Sequence, residues 1–519
     1  MNGAEGLLRA LKRSGVEVCF ANPGTSEMHF VAAMDRVEGV RCVLGLFEGV
    51  ATGAADGYGR MLGRPAATLL HLGPGLANGL SNLHNAIRAS SPIVNVIGDH
   101  AVSHRALDAP LTSDIEGTAR PFSHWVRTSP DANSLGADAV AAVAAARSAP
   151  GRVACLIAPA DATWTEVSHA APAPALEALI APPRRPDDPT IEAAARILTN
   201  PRGKVALVLG GHATREPALT SAGRIAAKLG ADLLVETFAP MLTRGAGRVH
   251  VQRIPYVVDQ AIAALAQYSA LILVSAKAPV AFFGYPGKPG RLHAPGTLIH
   301  ELCETTGDAA YALEALAERT AALGTSPTVA QLKLPAIPDG PITPGSIATL
   351  LGALLPEQAI VVDESITTGR DFLEATRGAR PHDWILPTGG SIGCALPIGA
   401  GAAIACPSRK VVVLESDGSG LYMPQALWTY ARESLDVLVL IFANRKYQIL
   451  GFEMANMGVT QIGPKARDLL EIGRPDVDWV AMARSFGVEG ARASSMEELC
   501  RSVRAGLEHR GPYLIEVSL

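Results

Sequence analysis

Val411-Val-Val-Leu-Glu-Ser-Asp417-Gly-Ser-Gly420 runs four apolar residues straight into two carboxylates and a loop with two glycines. The β-branched run reads as a buried parallel strand, and the carboxyl edge of such a sheet is where ligands bind. Onward, Leu421–Arg432 has a helical pattern, and Val437–Phe442 is a second apolar strand ending in Ala443-Asn444-Arg445-Lys446-Tyr447. A right-handed strand–helix–strand unit brings Asp417 and Asn444, 27 positions apart, to the same edge. Taken singly, they read equally well as an N-cap and a turn residue. Together they suit Mg²⁺, which takes a few protein oxygens and completes its octahedron with phosphate oxygens and water. The amides of Gly418 and Ser419 open the helix and can hold a phosphate oxygen. The stretch therefore predicts a divalent metal holding a diphosphate.

The chain around it has 519 residues, 48% hydrophobic and 18% charged, enough for about three domains of roughly 150 residues each. Two Pro-rich stretches without periodicity, Ala171–Pro189 and Ser326–Pro344, read as linkers and divide it into spans 1–170, 190–325 and 345–519. Each span alternates short β-branched runs with helical patterns. Examples are Val16–Phe20 and Ala66–Leu70, then Lys204–Leu209 and Leu271–Val274, then Ala359–Val362 and Tyr513–Val517. The expected fold is α/β, three consecutive doubly wound parallel-sheet domains. A net charge of −4 gives no basic footprint for nucleic acid. Seven scattered cysteines without a CxxC read as reduced thiols. No apolar run approaches a membrane span, and the first residues lack the pattern of a signal peptide. The expectation is a soluble cytoplasmic protein without a nucleic-acid or membrane partner.

Asp417-Gly-Ser with Asn444 at the next strand end resembles the cofactor motif of the thiamine diphosphate (ThDP) enzymes. The resemblance implies Mg²⁺ held by Asp417, Asn444 and the main-chain carbonyl of Lys446. It implies cofactor contacts from Gly418, Ser419 and Tyr447, and from Thr367 and Thr368 in Asp363-Glu-Ser-Ile-Thr-Thr368. Ser416 and Ala443 depart from the usual Gly and Asn, but neither position supplies a ligand side chain. Thr388-Gly-Gly-Ser-Ile-Gly-Cys-Ala-Leu-Pro397 resembles the loop that bends this cofactor into a V. There the backbone of Gly390 and Ile392 would bind the aminopyrimidine, with the Ile392 side chain wedged beneath. In Leu44-Gly-Leu-Phe-Glu48-Gly-Val-Ala-Thr-Gly-Ala-Ala-Asp-Gly-Tyr58 a lone Glu ends an apolar strand and opens a Gly/Ala-rich helix. On its residues alone this is a charge at a helix N-terminus. The resemblance makes Glu48 the acid that protonates N1′ of the cofactor from an apolar pocket, across a subunit interface. That implies at least a homodimer, with a homotetramer expected. The spans become pyrimidine-binding, central Rossmann-like and diphosphate-binding domains, so the resemblance covers essentially the whole chain.

For the substrate, Asn22-Pro-Gly-Thr25-Ser-Glu and His71, in Ala67-Thr-Leu-Leu-His71-Leu-Gly-Pro-Gly75, resemble benzoylformate decarboxylase, with Thr25 where that enzyme has Ser. On its residues alone His71 is a half-buried strand-end histidine. A loop that carries a second catalytic His in that enzyme here reads Phe283-Gly284, and His100 or His29 would be its substitutes. The resemblance implies decarboxylation of a small 2-oxo acid through a C2 ylide and an enamine, with Glu48, His71 and Thr25 catalytic. The alternative is an acetolactate synthase-like carboligase that joins two 2-oxo acid units. A cofactor-binding but non-catalytic regulatory partner is the alternative of another class. Gly210-Gly211-His212 is a weak nucleotide signal, and no strand leads into a clean GxGxxG. FAD is not expected.

Overall fold

The computed structural model describes all residues from Met1 to Leu519 except Ala173, which lies within the expected first linker. In the first span the strands are β1 (Val18–Asn22), β2 (Arg41–Leu44), β3 (Ala66–Leu70), β4 (Ile93–Asp99), β5 (Trp125–Thr128) and β6 (Val153–Pro159). They form one parallel sheet in the order β2-β1-β3-β4-β6-β5. The middle span adds β7 (Lys204–Leu209), β8 (Asp232–Val235), β9 (Met241–Arg244), β10 (Gln252–Arg253), β11 (Tyr268–Val274) and β12 (Leu298–Cys303). The third adds β13 (Ala359–Glu364), β14 (His382–Ile385), β15 (Val411–Ser416), β16 (Val437–Ala443), β17 (Glu489–Ala493) and β18 (Tyr513–Ser518). The second sheet has the order β10-β8-β7-β11-β12 and the third β17-β18-β16-β15-β13-β14-β9. The α/β architecture of three doubly wound sheets is as the sequence predicts.

Two expectations need correction. The third sheet is not purely parallel: β9 leaves the middle span and pairs antiparallel with β14, Met241 opposite Ile385. Nor is Leu421–Arg432 one helix. A single turn, Asp417–Gly420, is followed by a break and then the helix Ala426–Arg432. Pro424 lies in the break, and a proline inside a helix removes a donor and clashes with the preceding turn.

In every sheet, β9 aside, the chain first lays a strand on one side of its starting strand and then crosses to the other side. The resulting switch points lie between β1 and β3, β7 and β11, and β13 and β15. Crevices outside the carboxyl ends of strands at such points are the ligand sites of open α/β sheets.

The two outer sheets share one hydrophobic core, because the helix Glu48–Leu62 packs on the helix Ala395–Ala405. The approach is backbone to backbone: a Cβ on Gly57 would overlap the carbonyl of Ile398, and one on Gly401 the carbonyl of Ala54. Arg60 pins the same junction. It is 1% exposed, pairs with Asp56 at 2.5 Å and donates to the carbonyls of Leu386 (2.7 Å) and Pro240 (3.3 Å). Among the described residues no helix is long and apolar enough to cross a membrane.

Candidate active site

The β13–β15 crevice collects the candidates of the third span. Asp417 opens its helical turn directly after β15 and is 4% exposed. Its Oδ1 accepts from the Gly418 amide at 2.9 Å and its Oδ2 from the Arg445 amide at 2.6 Å. The second bond depends on Arg445 lying in left-handed backbone, φ 60°, which turns its N–H from the end of β16 toward Asp417. Asn444 Oδ1 accepts from the Lys446 amide at 3.1 Å. Burial raises the Asp417 carboxyl above the ordinary carboxylate range, and an adjacent cation would reverse that. A carboxylate, an amide oxygen and a main-chain carbonyl at one sheet edge are the hard oxygen donors that Mg²⁺ takes.

The neighbours of these donors are equally constrained. The Tyr447 ring lies on Gly418, where a Cβ would sit 2.6 Å from it, so a side chain there would push the ring aside. The Ser419 hydroxyl turns inward to Glu415, leaving its amide as the group available at the edge. Thr367 and Thr368 follow β13 in a turn closed by the Thr368 amide on the Ser365 carbonyl at 3.0 Å, with Ile366 at φ 50°. A β-branched residue in left-handed backbone is strained, and such strain gathers at ligand sites.

The sequence reading missed a carboxylate pair beneath this edge. Glu364 and Glu415 are register partners on β13 and β15, both fully buried. Glu364 accepts from the amides of Gly393 (3.0 Å) and Ala395 (2.9 Å), fixing the end of the Gly-rich loop. Burial pushes Glu364 up to about 7, and burial followed by repulsion from Glu364 pushes Glu415 well up. The first span holds the other end of the loop. Asn85 exchanges hydrogen bonds with Ser391 at 2.8 and 3.2 Å, and a His84 ring nitrogen meets the Gly389 carbonyl at 3.1 Å. Gly390 takes φ 77° and Ile392 is half-buried. Asn85, buried on the helix Leu72–Ala89 beside His84, was the sequence signal for this clamp.

The first sheet's crevice holds Glu48 and His71. Glu48 begins its helix, is 7% exposed and accepts from Asn78 at 3.0 Å. Both residues border Gly75, whose Cβ would sit 3.0 Å from a Glu48 oxygen and 3.2 Å from His71 Cβ. His71 caps the helix Leu72–Ala89 after β3, through a sharp elbow with Leu72 at φ 48°. Its Nδ1 is 2.8 Å from Glu27 Oε2, which also accepts from the Gly24 amide at 2.7 Å. Glu27 is 2% exposed and its Oε1 has no partner among the described residues. Burial raises its carboxyl, opposed by the Gly24 amide and by His71. Thr25 is exposed on the turn between Gly24 and Glu27. The side chain joined to His71 is therefore Glu27, which the sequence reading passed over because Gly-Thr-Ser-Glu looks like an ordinary helix start.

His100 directly follows β4, which lies beside β3, and has a buried Nε2 that lacks a partner among the described residues. His29 packs on Trp164 instead. The middle span sends its aromatic loop to the third: a Cβ on Gly390 would sit 2.6 Å from Phe282 Cζ. The Tyr256 and Tyr285 hydroxyls donate to Glu453 at 3.0 and 2.8 Å, tying that loop to the helix Gln448–Asn456, which follows the Asn444 edge.

These features define an α/β protein with two outer switch-point crevices, one rich in hard oxygen donors and one carrying a carboxylate–histidine pair. Residues 1–119 match the family described as thiamine pyrophosphate enzyme, N-terminal TPP binding domain, and residues 369–517 match its C-terminal TPP binding domain. A Mycobacterium tuberculosis protein named "Putative acetolactate synthase large subunit IlvX" is 50% identical over 100% of this chain and 99% of its own. Benzoylformate decarboxylase of Pseudomonas aeruginosa is 31% identical over 98% of this chain and 97% of its own. In fold, a Rhodococcus jostii RHA1 thiamine diphosphate-dependent 4-hydroxybenzoylformate decarboxylase superposes with a TM-score of 0.83, at 23% identity, covering 100% of this chain and 99% of that one. The chain belongs to the thiamine diphosphate enzymes, in the branch of 2-oxo acid decarboxylases and acetolactate synthases, and it is an enzyme.

Proposed function

We propose that the protein cleaves carbon dioxide from a 2-oxo acid with thiamine diphosphate and Mg²⁺, as a decarboxylase. The observation that carries this reading is His71 held by buried Glu27 at the mouth of the first sheet's crevice. Asp417, Asn444 and the Lys446 carbonyl would hold the metal. Gly418, Ser419, Thr367, Thr368 and Tyr447 would contact the diphosphate, and Gly390 and Ile392 would seat the aminopyrimidine. Thiamine diphosphate supplies, when bound, a carbon nucleophile and an electron sink. Glu48 would hold the proton shared with the pyrimidine N1′ of a cofactor bound by the partner copy of a homodimer. His71 Nδ1 donates to the Glu27 carboxylate, so Nε2 is the nitrogen that exchanges a proton with substrate. Thr25 orients the substrate carboxylate.

A reaction without FAD suits the middle sheet. At its switch point the Glu236 carboxylate and the Ser275 carbonyl both close on Gly210, where a nucleotide phosphate would meet negative charge. The name carried by the 50% identical relative favours a second reading, joining of two 2-oxo acid units. The test is carbon dioxide release and product identification with ThDP and Mg²⁺, from benzoylformate and pyruvate separately. Aldehyde supports the decarboxylase. Acetolactate from pyruvate replaces it with the carboligase, and no carbon dioxide from either substrate removes the present reading.

A further inference from the structure

On the edge of the third sheet opposite its ligand crevice, at the start of β13 and β14, lies a cavity of about 380 Å³. The three spans meet there: Met61 comes from the first, Arg215 and Arg248 from the middle, and His382 and Arg409 from the third. The volume falls within the range of small-molecule sites, roughly 300–1,000 Å³.

The charges on its wall are unbalanced. Arg409 is matched by Asp383 at 2.7 Å. Arg215, half-buried, also walls a second cavity of about 370 Å³ against the first span. Among the described residues its guanidinium has no hydrogen-bond or ion-pair partner. Burial pulls it down to about 10; Asp383 opposes this and Arg60 adds to it. Asp383 is taken by Arg409, and Arg60 is itself matched by Asp56. Arg248, half-buried, is likewise without a side-chain partner among the described residues. The remaining carboxylate, Glu216, is exposed and accepts from the Thr220 hydroxyl. His382 lines the cavity without adding charge. It is 3% exposed, its Nδ1 meets the Arg380 carbonyl at 2.7 Å, and its Nε2 has no partner among the described residues. Burial pushes it down to about 3, so the ring is neutral and Nδ1 carries the proton.

A half-buried guanidinium without a protein partner leaves its donor fork free for an oxyanion, which it binds through charge-assisted hydrogen bonds. We propose that this cavity binds a small organic molecule bearing a phosphate or carboxylate group, held by Arg215 and Arg248. Because its walls come from all three spans, occupancy braces the domains against one another at a distance from the catalytic crevices.

The test uses the full-length protein saturated with ThDP and Mg²⁺, in phosphate-free buffer. Titration calorimetry with inorganic phosphate and, separately, with citrate distinguishes the two anion types. Saturable binding of either is expected, weakened about tenfold or more in Arg215→Gln and in Arg248→Gln. Arg215→Lys, which keeps the charge and loses the fork, falls between. Turnover without added anion stays at the wild-type level in all three, which also shows that they fold. No saturable binding of either anion, or binding untouched by both glutamine substitutions, overturns the proposal. Phosphate at the cofactor crevice is told apart by its indifference to Arg215.

Discussion

His71 and Glu27 make a pair whose geometry sets its chemistry. A carboxylate that already accepts the Gly24 amide takes the imidazole Nδ1–H as well, leaving Nε2 as the free ring nitrogen. Glu27→Gln keeps the shape and removes the charge that fixes the tautomer. We expect it to lower kcat about 10²-fold with a small change in KM, and His71→Ala to cost about 10²–10⁴-fold. An unchanged kcat in Glu27→Gln would falsify the tautomer argument. A second residue-scale prediction concerns Glu364. Its carboxyl is raised by burial in the folded chain to about 7, so protonation favours folding. The stabilisation is complete below the ordinary value of 4.5 and is lost as pH rises from there to about 7. Thermal melts of the wild type should therefore fall between about pH 4.5 and 7 and level off above that. Glu364→Gln, permanently neutral, should melt with a flatter dependence over the same range; an equally steep fall in the variant contradicts the assignment.

At the scale of elements, the junction of the two outer sheets rests on a pair of helices touching through glycine and on one buried arginine. Removing Arg60 strands Asp56 without its countercharge and leaves the Leu386 carbonyl without a donor. Arg60→Leu should cost about 3–5 kcal/mol, read as a lower urea midpoint of the transition that carries the first and third spans. A midpoint within experimental error of the wild type would mean that water replaces the guanidinium. The elements were unevenly legible in the sequence. Ala66–Leu70 was readable because a doubly covered parallel strand is a continuous apolar run, and the structure places its strand there. Trp125–Thr128 was not, since an edge strand with an exposed arginine has no such run. Met241–Arg244 was invisible for another reason. Nothing local tells a short strand in the middle span to join the third sheet, because that choice is made by tertiary packing against His382–Ile385. The site divides the same way. Asp417 and Asn444 announce themselves by ending strands, while Glu27 and Glu364 gain their roles through partners 44 and about 30 residues away.

For the whole molecule, the decisive matter is which copy of the chain serves which crevice. Glu48 bonds to Asn78 within its own span, and Asp417 to Arg445 and Gly418 within the third. If each catalytic centre joins Glu48 of one copy to Asp417 and Asn444 of another, a two-fold symmetric dimer has two such centres. Glu48→Gln disables the acid and Asp417→Ala the metal edge, so each variant alone should be inactive. Co-expressed with separable tags, the two chains form mixed dimers in which both lesions fall in one centre and the other centre is intact. Random assortment makes about half the dimers mixed, so the pool should recover about a quarter of wild-type turnover. Purified mixed dimers should reach about half. If Glu48 instead serves its own chain, every centre in the mixed dimer carries one lesion and no turnover returns. Cofactor retention separates the roles further: Asp417→Ala chains, like wild type treated with a chelator, should release ThDP on gel filtration, whereas Glu48→Gln homodimers should retain it. Recovery of turnover together with that asymmetry would place the acid on one copy and the metal on the other.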